Sequence, residues 1–401
     1  MRRKNVSVFI SVFVAMLGVM ILAPITPSLI RELGLREIHS GILISSGSIM
    51  TAVMAPIWGR ISDRKGRKPV ILVGLTGMAL STVFLTLTFN SGLHHWLSGG
   101  WLLFLMILTR SMVGMFIPAI LSASQALMGD GLADQEQGSG MAVISAANGM
   151  GLILGPAIAG IFSLAGLLWP LYFGIVIIAA ALIITLFLMP ASKPNVQETK
   201  RKLKPFQRGL RLYLFAAFVT MMGLFTIQVI GGFYLQDQLG LPSDQLAWVV
   251  SFGLMLTGLA MLITQIIQSK WLQWTPATMI LIGSLVVVVG MVIFLLANQL
   301  PGYYFAFFLL GTGAGFTMTG FMVGASVSVT REQQGNVAGL VTAVQGISAI
   351  VAPIVSTSLY HVDLRIPMAG IALLSATMGL IILSIWRKRQ KIHQKNGGFS
   401  L

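Results

Sequence analysis

The chain has 401 residues, of which 56% are hydrophobic and only 9% are charged. A water-soluble domain carries about 25% charged residues, so a soluble fold of this length would lack the polar surface it needs, and most of the surface must face lipid. The net charge of +15 could suit nucleic acid, but the basic residues sit in short clusters between apolar runs, which argues against such a partner. Cysteine is absent, which removes disulfides, thiolate metal sites and a cysteine nucleophile.

In lipid every backbone polar group must be satisfied internally, which leaves helices or a closed barrel. The apolar runs are continuous and about 20 residues long, the length of a helix that crosses ~30 Å of hydrocarbon. The predicted fold class is therefore an all-α membrane protein. Arg2, Arg3 and Lys4 followed by an apolar stretch resemble a signal peptide, but the stretch runs on to Ile30 without a small-x-small cleavage site and is read as the first span. Twelve spans are predicted, at 7–30, 40–58, 70–90, 101–123, 138–163, 167–189, 211–235, 247–267, 277–297, 303–329, 337–359 and 366–386.

With the N-terminus in the cytoplasm, 22 of the 26 basic residues fall on the cytoplasmic side, and only Arg31, Arg36 and Arg365 fall outside. The positive-inside rule thus predicts both termini in the cytoplasm. One basic residue is left over, Arg110, inside span 4. The polar stretch 191–210 reads as a cytoplasmic linker between a six-helix half at 1–190 and a second at 211–388, with a basic tail at 389–401.

The halves resemble each other. With a constant offset of 197 and no gap, Gln137 meets Gln334, Gly138 meets Gly335, Ala146 meets Ala343, Gly149 meets Gly346, Ile153 meets Ile350 and Pro156 meets Pro353. Asn148 meets Gln345, a conservative pair. Both segments run from a cytoplasmic loop into a span, as parallel repeats of a secondary transporter do.

Between spans 2 and 3 stands Gly59-Arg-Ile-Ser-Asp63-Arg64-Lys-Gly66-Arg67-Lys68. A plain basic loop would explain the cations but not the glycine spacing or the acid. Asp63 can accept charge-assisted hydrogen bonds from a helix start and from arginines, and Gly59 leaves room for another helix. In span 1, Leu17-Gly18 is followed by Pro24 and Pro27, prolines that free backbone carbonyls and need neighbours or a cavity. In span 4, Arg110 precedes Gly114 at R-x-x-x-G spacing. A charge at a helix centre costs at least about 2.5–3.5 kcal/mol, so Arg110 must face water or partners. Span 5 carries Gly151, Gly155, Pro156 and Gly160, a small-residue packing face interrupted by a Gly-Pro pair.

These four patterns resemble motifs of the major facilitator superfamily, in the branch of twelve-span drug/proton antiporters. The loop at 59–68 resembles its motif A, the span-1 pattern the span-1 motif of that branch, Arg110–Gly114 motif B (with Val113 where a polar residue is usual), and 151–160 motif C (with Ala142 and Ala159 where glycine is common). The resemblance implies a major-facilitator-type fold of two six-helix pseudo-repeats. It also implies that Gly59, Asp63, Arg64, Gly66 and Arg67 form a conformational latch stabilising the outward-open state, and that span 5 is kinked and packed against span 8. The function it implies is proton-driven efflux by alternating access at an inner membrane.

Every acid is placed in a loop or at a span end, and no histidine lies within a span. The membrane core thus holds Arg110 without a compensating carboxylate, and a lone arginine in a low-dielectric cavity favours anionic or zwitterionic substrates. Asn148, Gln228, Gln265, Gln345 and Phe225 are the other candidate substrate contacts; the four amides could equally be interhelical hydrogen bonds. Two substrate classes stay open, amphipathic drugs and an anionic metabolite such as a carboxylate siderophore, with a metabolite or sugar importer as the alternative function. The expected partners are a small molecule, the coupling proton and the bilayer, and the chain is read as a monomer. No cofactor, metal site or catalytic residue is predicted: no H-E-x-x-H appears, and no G-x-x-x-x-G-K-[ST] loop for ATP.

Overall fold

The computed structural model describes residues 2–129, 134–190, 208–272, 274–330 and 333–396. Most of the predicted linker, 191–207, and the last five residues of the predicted tail, 397–401, lie outside the described residues. Twelve α-helices follow in order: α1 (Arg2–Glu32), α2 (Glu37–Lys65), α3 (Arg67–Leu93), α4 (Gly99–Gly129), α5 (Asp134–Ser163), α6 (Trp169–Leu188), α7 (Arg208–Leu239), α8 (Ser243–Lys270), α9 (Pro276–Leu296), α10 (Leu300–Val327), α11 (Gln334–Val362) and α12 (Ile366–Asn396). All twelve are long and apolar enough to cross a membrane.

Each predicted span corresponds to one helix, but most helices are longer. Hydropathy stops where charges begin, whereas backbone hydrogen bonding continues through the interface. The overshoot matters for function: Asp63 lies in α2 and Asp237 in α7, not in connecting loops. Likewise α12 continues to Asn396, so most of the basic tail is helical.

The helix ends have local causes. Gly34 (φ 66°) stops α1, with the Leu35 N–H reaching the Ile30 carbonyl at 2.9 Å, and Gly240 (φ 63°) stops α7 with its N–H on the Gln236 carbonyl at 2.8 Å. Both use the left-handed conformation that glycine adopts without a Cβ penalty. Thr275 caps α9 by accepting from the Thr278 N–H, with Pro276 at the first helical position.

Two compact units are distinguished. The first comprises the described part of residues 1–200 with Gln228–Met255 and Pro353–His361. In it α1 packs on α5 and α6, α4 on α2 and α3, and α3 on α6. A Cβ at Gly114 would collide with the backbone of Gly47, so α2 and α4 lie backbone on backbone. The hydroxyl of Thr51 donates across this crossing to the Gly114 carbonyl at 2.9 Å, and Trp58 Nε1 to the Met115 carbonyl at 2.8 Å. Ser11 and Thr185 join α1 to α6 at 2.9 Å.

The second unit comprises the described part of 201–227, Leu256–Ala352 and the described part of 362–401. Here α9 packs on α10 and α12. Gly311 of α10 stands backbone to backbone with Thr257 of α8, whose hydroxyl donates to the Phe307 carbonyl at 3.0 Å. Gly114 and Gly311 are themselves 197 positions apart, the offset of the sequence repeat.

These contacts set a stability test. A methyl group at Gly114 or Gly311 overpacks a backbone contact, and Gly114→Ala and Gly311→Ala are each expected to cost about 1–3 kcal/mol, read as a lower melting temperature of the purified protein. Gly149→Ala and Gly346→Ala place the methyl in open space and should melt with the parent.

Candidate functional site

The Asp63–Lys68 turn is built on a single glycine. Gly66 (φ 91°) separates α2 from α3, and its N–H returns to the Ser62 carbonyl at 3.1 Å. Arg67, one turn after Asp63, ion-pairs with it and donates to Ser62 Oγ at 3.1 Å. Arg67 is 3% exposed, so Asp63 supplies the countercharge that a buried guanidinium needs. Lys68 reaches a different element: its Nζ donates to the carbonyls of Leu186 and Met189 at 2.9 and 2.6 Å, where α6 ends. A cation at a helix C-terminus meets free carbonyls and the negative end of the dipole. Arg64 is exposed, without an ion pair among the described residues. Among the described residues no atom lies within 4 Å of a Cβ at Gly59.

Arg110 is in the middle of α4 and 7% exposed. A Cβ at Gly47 would meet its Nε at 3.0 Å, so the guanidinium lies against the glycine face of α2. Its Nε is buried without a hydrogen-bond partner, and no ion pair reaches it among the described residues. Asn148 of α5 likewise keeps a buried Oδ1 without a partner.

The small-residue face of α5 divides between two neighbours. Cβ atoms at Gly151 and Gly155 would meet Met16 and Met20 of α1 at 2.7 and 2.5 Å, while one at Gly160 would meet Ser251 of α8 at 2.6 Å. The packing expected against span 8 is thus made at Gly160, and most of the face belongs to α1. Pro156 lies inside α5, and Pro24 and Pro27 lie inside α1.

The six candidate substrate contacts divide evenly: Arg110, Asn148 and Gln228 belong to the first unit, and Phe225, Gln265 and Gln345 to the second. Gln228 donates to the Met20 sulfur at 3.4 Å and Gln265 to the Met318 sulfur at 3.7 Å. Thioethers are weak acceptors, so both amides retain capacity for a ligand. A small cavity of about 20 Å³ in the second unit is lined by residues that include Thr220, Gly223, Thr317 and Ser375, and by none of these candidates.

Sequence reasoning missed a charged cluster at the other end of α2. Arg31, in the last turn of α1, bonds Glu37 of α2 and Asp237 of α7, each at 2.9 Å. Tyr360 of α11 donates to Asp237 Oδ2 at 2.7 Å. The Arg31 guanidinium stands 5.6 Å over the ring of Phe233, and Arg36 lies 2.6 Å from Nε2 of His361. A signal existed: Asp237 is an acid three residues before a helix-stopping glycine, which marks a helix end and not a loop.

The sequence model described as Major Facilitator Superfamily matches residues 8–353. Multidrug resistance protein 1 of Bacillus subtilis (strain 168) is 24% identical over 398 residues, covering 96% of this chain and 98% of its own. Tetracycline resistance protein, class E, of Escherichia coli is 24% identical over 416 residues, covering 99% and 98%. Among solved structures, nucleoside transporter NupG superposes with a TM-score of 0.76 at 13% identity, covering 95% of this chain and 99% of its own. The human organic anion transporter MFSD10 superposes with 0.65 at 17% identity, covering 95% and 99%. At these identities the structural likeness shows the fold.

The Asp63–Arg67 pair carries a stability prediction. Asp63→Asn leaves a buried guanidinium short of its countercharge and is expected to destabilise by about 1.5–3 kcal/mol, the worth of a hydrogen bond to a charged group. Arg64→Gln removes an exposed charge without a pair and should leave the melting temperature unchanged.

Proposed function

This chain belongs to the major facilitator superfamily, and from that membership we propose that it is a proton-driven exporter of small organic molecules that carry a carboxylate or another anionic group. Arg110 carries the reading. A guanidinium 7% exposed in mid-span, with its Nε unpartnered and no carboxylate paired to it among the described residues, holds unspent capacity for an anion. Guanidinium binds carboxylate in a fixed, bidentate geometry. Asn148, with its own unpartnered oxygen, can take a donor of the same ligand, and Gln228, whose printed partner among the described residues is the Met20 sulfur, can supply a further polar contact. An endogenous carboxylate siderophore and an anionic or zwitterionic drug both meet this description.

The proposal extends to topology. The chain lies in a bacterial inner membrane as a monomer with both termini cytoplasmic, as its arginines and lysines favour. Residues 1–190 and 211–388 form the two halves, and the matched backbone contacts at Gly114 and Gly311 support their duplication. The halves alternate access to a midplane site, with the Asp63–Arg67 turn biasing one state. A second reading is favoured by the names of the relatives, which are multidrug and tetracycline resistance proteins: export of amphipathic drugs regardless of charge.

Cells expressing the parent chain should clear the carboxylate dye fluorescein faster than cells lacking the gene. Arg110→Ala and Arg110→Lys should abolish that difference, because truncating one partner of a buried charge pair costs about 2–5 kcal/mol. Iron-starved cells lacking the gene should also release less chelating activity into the medium if the natural cargo is a siderophore. Export of ethidium but not fluorescein, unchanged by Arg110→Ala, would move the assignment to the second reading.

A further inference from the structure

The end of α2 that leads into Gly66 carries two arginines that are not drawn into the Asp63–Arg67 turn. Ile57, Arg60, Ile61 and Arg64 line an open groove of about 180 Å³. Arg60 and Arg64 are both exposed. Arg60 donates from Nε to the Pro56 carbonyl of its own helix at 3.3 Å, and neither arginine has an ion pair among the described residues. Asp63, the one acid between Gly59 and Lys68, is paired with Arg67, and Lys68 is bonded to the end of α6. Two guanidiniums one helical turn apart therefore present unpaired charge to the same space.

The groove continues as an apolar stripe. Ile49, Val53 and Ile57 are exposed and, with Ile61, follow one another at four-residue spacing, which keeps them on one face of a helix. Gly47, Thr51 and Trp58, which meet α4, lie on the opposite face. The helix rises about 16 Å from Ile49 to Arg60, the depth of one leaflet of a hydrocarbon core ~30 Å thick. The face is thus charged at the membrane surface and apolar from there to the midplane. In the proposed orientation its charged end faces the cytoplasm.

We propose that this face of α2 binds an anionic phospholipid of the cytoplasmic leaflet, with the phosphodiester held by Arg60 and Arg64 and an acyl chain laid along Ile57, Val53 and Ile49. Guanidinium binds phosphate in a fixed fork geometry, and basic pockets at the cytoplasmic ends of spans suit anionic headgroups. A soluble anion would engage the arginines but gain nothing from the stripe. A neutral lipid would use the stripe but leave the charges unmet. An anionic lipid meets both at once. The site is separate from Arg110 and does not depend on what the chain exports; only the choice of leaflet rests on the proposed orientation.

The test titrates lipid into the detergent-solubilised full chain and follows the tightest-bound molecule by native mass spectrometry. Dioleoyl phosphatidylglycerol should bind more tightly than dioleoyl phosphatidylcholine, which has the same chains and no net charge. Arg60→Gln and Arg64→Gln should each weaken phosphatidylglycerol about fivefold, and together about thirtyfold, the worth of one and of two cations beside an anionic lipid. Arg64→Lys keeps the charge without the fork and should fall between the parent and Arg64→Gln. Lys270→Gln removes an exposed cation from the end of α8, outside the groove, and should leave binding unchanged. Ile57→Ser interrupts the stripe and should weaken phosphatidylglycerol. Glycerol phosphate, a headgroup without chains, should not displace the lipid at matched concentration. All these positions are exposed, so the variants should melt with the parent in lipid-free detergent, which separates a failure to bind from a failure to fold. Equal affinity for the two lipids, or a loss in Lys270→Gln as large as in Arg64→Gln, reduces the effect to general surface attraction and overturns the proposal. Displacement by glycerol phosphate, or binding untouched by Ile57→Ser, assigns the arginines to a soluble anion and overturns it equally.

Discussion

Backbone lies on backbone where α2 crosses α4, and much of the first unit depends on that crossing. Lipid offers no hydrophobic drive to press one apolar helix on another, so association rests on close packing and interhelical hydrogen bonds. Gly47 and Gly114 permit the approach, and Thr51 and Trp58 hold it with bonds to α4 carbonyls. Arg110 stands one turn before Gly114 on the same helix. It is buried because α2 comes this near, and a Cβ at Gly47 would lie 3.0 Å from its Nε. The motif spacing R-x-x-x-G is thus a packing rule and a charge rule at once: the glycine brings the helix in, and the arginine becomes desolvated by it.

The spans were legible because each is a long apolar run that cannot be anything but a helix in lipid. Their ends were not, since charges end a hydropathy run but do not end a helix; Gly34 and Gly240 do that here. The Asp63–Arg67 pair was legible as an acid and a cation at helical spacing around a glycine. Lys68 was read with the same motif, yet its partners are carbonyls of Leu186 and Met189, and nothing local in the sequence points that far. The Arg31–Asp237 pair failed for the same reason. Arg31 was placed outside the spans and Asp237 among the acids in loops or at span ends, and only the fold makes them neighbours. Asn148 and Arg110 were picked out as polar groups within spans, and the structure adds that each has a buried atom without a partner.

Buried polar groups left unsatisfied are costly in a low-dielectric interior, and the two ends of the argument treat them differently. At Arg110 the unsatisfied valence is in mid-span, where only a ligand or water can meet it. At Arg31 the charge is already met twice, by Glu37 of α2 and by Asp237 of α7. The first arrangement suits a binding site; the second ties the end of α1 to α2 and α7.

Binding cargo and proton at separate groups changes the energetics of exchange. An exporter that binds its cargo and its proton at one shared carboxylate trades cation for cation, and a singly charged cargo then moves no net charge. Under the antiport proposed above, an anion leaving and a proton entering both carry positive charge inward. One turnover of a singly charged anion moves two elementary charges in the favourable direction, and each is worth about 2.3 kcal/mol per 100 mV of membrane potential. On that reading an unpaired arginine at the cargo site, with no carboxylate shared between cargo and proton, lets both the voltage and the proton gradient drive the anion out.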